Sequence, residues 1–146
     1  MIVCSWNINS VRMRENLLLE LLNSLDPDVI FLQEIKCQNN EFPQIDQKNK
    51  YNLVVKGEKG KYGVAILIKK KFEFQEINFD SNIFKSEARI CGIKIKNNLN
   101  LHLINIYAPN GNPVEAKEKF SFKIKWYGEL RKIVKELIDS KINLIL

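Results

Sequence analysis

Histidine is nearly absent from this chain, with one in 146 residues, and only three cysteines are present. Cys4, Cys37 and Cys91 lie far apart and form no C-x-x-C pair. A structural zinc site needs about four such ligands at close spacing, so zinc is excluded as the organising element. The odd cysteine number argues against a disulfide scaffold and fits a reducing cytoplasm. No apolar run approaches the ~18 residues of a membrane span, and Met1 to Trp6 lacks the features of a secretion signal, so a cytoplasmic protein without a membrane partner is expected. Nucleophile elbow, P-loop and GxGxxG patterns are all missing. Ser/His/Asp and Cys/His chemistry therefore have no support. Low-complexity tracts, linkers and internal repeats are missing too.

What remains is an ordinary globular composition, 45% hydrophobic and 27% charged, enough for one domain with a core. The formal charge is +6, carried mostly by lysine. That excess suits an anionic partner such as nucleic acid, or simply solubility.

The stretch from Leu25 to Lys36 organises the rest. Asp26-Pro27 stops a helix, because proline lacks an N–H and disfavours the α region before it. Val29 to Leu32 is a short apolar run suited to a strand covered on both faces. Gln33 and Glu34 follow where that strand leaves the core, and strand ends of this kind present ligand-binding groups in α/β proteins. Ile2 to Trp6 predicts a first strand and Arg12 to Leu25 a helix, with Leu18, Leu21, Leu22 and Leu25 on one face. Strand, helix and strand form a βαβ unit with parallel strands, which sets Asn7 and Glu34 at the same end of a sheet.

Further strands are predicted at Tyr51 to Val55, Val64 to Ile68, Ala88 to Ile95 and Leu101 to Tyr107, with a weak one near Phe72 to Ile77. A Lys96-Asn97-Asn98 turn joins two of them. A long helix is expected over Glu115 to Ser140, with Tyr127, Leu130, Val134, Leu137 and Ile138 as its apolar stripe. Asn143 to Leu146 reads as a buried strand. The pattern predicts an α/β sandwich of mixed sheet with helices outside.

Glu34 is the best metal-ligand candidate, since hard cations such as Mg²⁺ take carboxylate, phosphate and water oxygens. Asn7 could add an amide oxygen. Tyr107, at a strand end before a Pro-Asn-Gly loop, could orient or protonate a phosphate oxygen. Asn110 and Gly111 could offer donors. Lys59, Lys61, Lys117, Lys119 and Lys123 could follow a phosphodiester backbone. Taken singly, each residue is more commonly something simpler: a solvated carboxylate, a turn former, a packing aromatic, a solvated basic face. Lys69-Lys70-Lys71 reads as such a face, and His102, inside a strand with no acidic neighbour, as structural.

Together these residues resemble one family. Pro27-Asp28-Val29-Ile30-Phe31-Leu32-Gln33-Glu34-Ile35-Lys36 looks like the signature of the exonuclease III group of apurinic/apyrimidinic endonucleases. Trp6 to Arg12, Gly60 to Ala65 and Asn105 to Gly111 are similar to further blocks, in order. The resemblance implies the endonuclease/exonuclease/phosphatase fold, a four-layered α/β sandwich of the DNase I-like type. It implies Mg²⁺- or Mn²⁺-dependent hydrolysis of duplex DNA at abasic sites and 3′ ends. By position it makes Glu34 and Asn7 the metal residues and Tyr107 the tyrosine near the scissile phosphate. Arg89, Asn110, Lys119 and Lys123 become DNA or phosphate contacts. The family's later Gly-Asp-x-Asn block, a further aspartate and a Ser-Asp-His do not occur here. Residues 1–146 are accordingly expected to form the N-terminal portion of a single such domain, inactive alone. The alternatives are half of a split enzyme complemented by a C-terminal polypeptide, a non-catalytic DNA-binding remnant, or a phosphoesterase acting on another substrate.

Overall fold

The computed structural model describes residues 1–45, 50–96, 100–113 and 115–146. The first strand, β1 (Val3–Asn7), leads into helix α1 (Glu15–Leu25) and then β2 (Val29–Gln33). Strands β3 (Tyr51–Lys56) and β4 (Val64–Lys69) complete one sheet, in the order β1-β2-β4-β3. The second sheet holds β5 (Phe74–Glu76), β6 (Ile90–Ile95), β7 (Leu101–Ile106) and β8 (Asn143–Ile145), in that order. A short helix α2 (Asn82–Ser86) and the long α3 (Lys117–Asp139) complete the described elements.

Strand alternation builds the layers. Val29 and Phe31 point between the sheets and pack with Val64, Ile66, Ile68, Cys91, Ile93 and Leu103. Ile30 and Leu32 point the other way, against Leu18 and Leu22 of α1. On the outside of the second sheet, Ile90 and Ile104 meet Phe84 of α2 and Trp126 and Leu130 of α3. The result is helix, sheet, sheet, helix: the four-layered sandwich expected. It explains why β2 is buried at every position.

Both βαβ crossovers are parallel. β1 pairs with β2 in the register Asn7↔Gln33, and β7 pairs with β8 in the register Leu103↔Ile145. The remaining pairings are antiparallel.

Several expectations need correction. Helix α1 begins at Glu15 rather than Arg12, because the preceding backbone is tied elsewhere: Ser10 N–H donates to the Glu34 carbonyl and Val11 N–H to that of Ile35. The buried stripe of α3 is centred on Trp126 and Leu130, while Tyr127 and Ile138 are exposed. Strand β8 is not buried but half exposed, because it forms the edge of its sheet. Helix α2 was not foreseen; five residues are too few to show a helical period. The expected turn at Asn97-Asn98 lies outside the described residues.

Candidate active site

The parallel pairing of β1 and β2 brings Asn7 and Glu34 to one sheet end, as the spacing required. Asn7 Nδ2 donates to Glu34 Oε1 at 2.8 Å. That leaves the Asn7 carbonyl oxygen available for another partner. Glu34 itself adopts a left-handed backbone, φ 53°, unusual for a residue with a side chain. The conformation is over-determined by its surroundings: Ile8 N–H binds the Gln33 carbonyl, Ser10 N–H the Glu34 carbonyl, and Lys36 N–H donates to Tyr62. Gly63 permits the last approach. At φ 82°, a β-carbon there would lie 2.5 Å from Ile35 Cγ1.

Tyr107 arrives from the other sheet, just past the end of β7, close enough to Glu34 for each to influence the other's ionisation. Asn7, Tyr107 and Lys36 all favour the carboxylate form; the Asn7 bond contributes most, and together they hold the Glu34 carboxyl below the usual range despite its partial burial. Lys36 Nζ lies 3.2 Å from Glu34 Oε2. The Tyr107 phenol is pushed up, first by burial and then by the Glu34 charge, so it carries its proton at neutral pH. The site therefore offers an ionised carboxylate, an amide oxygen and a protonated phenol. Carboxylate and amide oxygens are hard donors that suit Mg²⁺ or Mn²⁺. Among the described residues, no group of three or more His, Cys, Asp or Glu could hold a metal, so Glu34 and Asn7 would be only part of a coordination shell.

Next to Tyr107 opens a cavity of about 420 Å³, walled in part by Tyr62, Arg89, Asn110 and Lys119. Asn110 and Lys119 are exposed at its mouth. Lys123 does not line it; its Nζ donates to the Asn110 carbonyl at 3.2 Å and braces the loop. Gly111, at φ 74°, lets this contact form, since a β-carbon would fall 2.8 Å from Lys123 Cδ. Arg89 is buried at 6% exposure. It pairs with Glu87, donates to the Tyr107 carbonyl at 3.1 Å and stacks its guanidinium 3.7 Å from the Tyr62 ring centroid. Arg89 thus holds the two tyrosines in place as well as forming part of the wall.

Sequence reasoning missed the supporting groups. Lys36 and Asn9, which bond each other beside Glu34, lay inside the quoted motifs but were given no role. Tyr62 sits in the Gly60 to Ala65 block, yet its stacking on Arg89 had no sequence signal. Three of the other lysines are engaged elsewhere: Lys61 pairs with Glu58, and Lys69 and Lys71 hold Asp26 and Asp28. His102 is buried with neither ring nitrogen bonded among the described residues, in keeping with a structural role. Among the described residues, no helix is long and apolar enough to cross a membrane.

The two sheets thus converge on hard oxygen donors beside a polar cavity whose walls carry Glu87, Arg89, Glu118 and Lys119. The chain belongs to the Endonuclease/Exonuclease/phosphatase family, whose model matches residues 4–120. It is 34% identical to exodeoxyribonuclease III of Haemophilus influenzae over 138 residues, 93% of this chain and 52% of that one. A Bacillus subtilis exodeoxyribonuclease is 28% identical, covering 94% of this chain and 53% of the relative. Among solved structures, a Neisseria 3′ phosphatase, NExo, bound to product DNA hairpin superposes with a TM-score of 0.81 at 27% identity, over 95% of this chain and 53% of the other. An AP endonuclease from Archaeoglobus fulgidus gives 0.76 at 33% identity, over 89% and 49%. The chain spans about half the length of these proteins.

Proposed function

We propose that this chain supplies one half of an exodeoxyribonuclease III-like DNA repair nuclease, acting on duplex DNA at abasic sites and 3′ ends. The observation that carries the reading is the meeting of Asn7, Glu34 and Tyr107 from two sheets, beside a cavity bearing Asn110 and Lys119. Glu34 and the Asn7 carbonyl oxygen are the residues to hold a divalent cation, Mg²⁺ or Mn²⁺. Bound there, the cation would polarise a phosphoryl oxygen and offset its developing charge. The phenol of Tyr107, kept protonated, donates a hydrogen bond to a non-bridging oxygen of the scissile phosphate. Asn110 and Lys119 hold the flanking backbone, and Arg89 keeps Tyr107 and Tyr62 rigid. Lys123 acts through the Asn110 loop.

None of these residues is a base suited to activating water: Glu34 is committed to Asn7, Tyr107 and Lys36. Residues 1–146 alone are therefore inactive in this reading. The test uses an abasic-site duplex, purified chain and Mg²⁺ or Mn²⁺. Salt-dependent retention of the duplex without nicking is the expected result. Nicking by the chain alone, free of host nuclease, would overturn the inactivity. No affinity for the duplex at low salt would overturn the DNA reading.

A further inference from the structure

Helix α3 carries more apolar surface than its packing uses. Its buried stripe meets the second sheet through Trp126 and Leu130. A second stripe faces solvent: Phe120 is 43% exposed, Ile124 55%, Tyr127 43% and Ile138 61%. Phe120, Ile124, Tyr127, Arg131, half-buried Val134 and Ile138 succeed one another by four, three, four, three and four. That alternation averages about 3.5 residues, the spacing of a seam between two helices, and it keeps the row on one side of α3 along nearly its whole length.

The charges along this row have one sign. Lys117 and Arg131 stand in it and Lys135 beside it, all exposed. The carboxylates of α3 lie elsewhere around the helix. Glu118 lines the cavity next to Tyr107, and Glu129 and Glu136 line the cavity that holds His102. Asp139, the last residue of the helix, is the one acid that adjoins the row among the described residues. Gly128 borders the row at its middle. Glycine weakens a helix interior, and a β-carbon there would meet nothing within 4 Å, so no contact among the described residues calls for it. A bare backbone at that point suits the close approach of another helix.

We infer that this face of α3 docks an acidic amphipathic helix of a partner protein, with apolar residues at the same spacing and carboxylates along its margins. Charge selects that occupant. A second copy of this chain would set Lys117, Arg131 and Lys135 against the same cations. Nucleic acid would satisfy the cations but leave four exposed apolar side chains without a match. None of the row's side chains lines the cavity beside Tyr107, so docking leaves the active site open. The inference does not depend on what that site does.

The test titrates the isotope-labelled chain with two synthetic helices. Both carry leucines at the spacing of the row; one has glutamates at the flanking positions and the other lysines. The glutamate helix should bind and shift the amide signals of Phe120, Ile124, Tyr127 and Gly128, with the lysine helix at least about tenfold weaker. Ile124→Asp should weaken the glutamate helix by about tenfold, because docking would strand the charge against apolar side chains. Leu53→Asp, at a comparably exposed position on β3, should have no effect. Lys117→Glu, Arg131→Glu and Lys135→Glu combined should transfer the preference to the lysine helix, which a loss of folding cannot imitate. Circular dichroism checks that each variant folds. Failure of the glutamate helix to bind at its highest soluble concentration would overturn the inference. So would equal binding of both helices, shifts that map away from α3, self-association of the chain through this row, or tighter binding to phosphatidylglycerol vesicles than to the glutamate helix.

Discussion

Gln33 Nε2 donates to Asn105 Oδ1 at 2.7 Å, and this bond crosses from one sheet to the other. Gln33 immediately precedes Glu34, and Asn105 lies two residues before Tyr107. Asn105 Nδ2 also donates to the carbonyls of Leu32, at 2.9 Å, and Ala65, at 2.8 Å. Gln33 Nε2 reaches Ser5 Oγ at 3.1 Å. A buried amide network thus sets the distance between the sheet ends that carry the carboxylate and the phenol.

Asn105→Ala should therefore destabilise the fold by about 2–3 kcal/mol, since two carbonyls and the Gln33 amide lose partners in a dry core. Urea unfolding checks the stability. A loss of the Tyr107 effect on Glu34 ionisation would show that the sheets have shifted. An unchanged unfolding midpoint would count against the network.

Asn7→Ala removes the largest influence holding the Glu34 carboxyl low. Its titration midpoint should rise toward the ordinary glutamate value, followed by carboxyl NMR. Glu34→Gln should weaken Mn²⁺ binding by about tenfold or more, measured by paramagnetic relaxation without any activity assay. Equal affinity in the Gln variant would remove Glu34 as a ligand.

Asp28 anchors the opposite end of the sheet. Its carboxyl is lowered to about 2, chiefly by Lys71, with Ile2 N–H and Lys69 contributing. A lowered carboxylate contributes stability above its unfolded value, near 3.8, and that contribution is lost as pH falls through about 2. Asp28→Asn should cost about 1 kcal/mol at neutral pH, allowing for solvent screening. The difference from the parent should shrink below pH about 4, as measured by thermal melts.

His102 is held below its ordinary value, near 6.5, by burial first and the Lys94 charge second. Such a histidine stays neutral when folded while the unfolded chain takes up a proton. Stability should be undiminished above pH about 6.5 and fall as pH drops below it. Asp80, Glu129, Lys132 and Glu136 share the cavity that His102 lines, so charges of both signs face it. His102→Met should flatten the melting-temperature profile between about pH 5 and 6.5. A profile identical to the parent's would show that His102 does not report folding.

Thiol labelling offers a check on the layers. Cys91 lies between the sheets, where burial pushes its thiol far up, whereas Cys4, on the edge strand β1, is only half-buried. Folded protein should modify Cys4 readily and Cys91 only on unfolding. Equal labelling of the two would contradict the closed inter-sheet core.

Much of this architecture was legible in the chain. The period-2 and helical patterns located β1, α1, β2, β4, β6, β7 and α3, because each buries an apolar face that local order alone can display. Parallel pairing then placed Asn7 beside Glu34. Tyr107 could be assigned to their company only through the resemblance of its motif, since no local pattern reports which strand ends meet across two sheets.

The rest depended on packing over long separations. The exposed β8, the inward turn of Arg89 onto Tyr62 and the bridging of Lys123 to the Asn110 loop each join residues whose encounter is decided by layer geometry. An arginine reads the same in sequence whether it faces phosphate or clamps two tyrosines. The sequence by itself determined which side chains are candidates for the chemistry, through their types and ordered motifs. Tertiary structure alone decided which of them touch, because sheet-on-sheet packing brings together groups 70 and more residues apart.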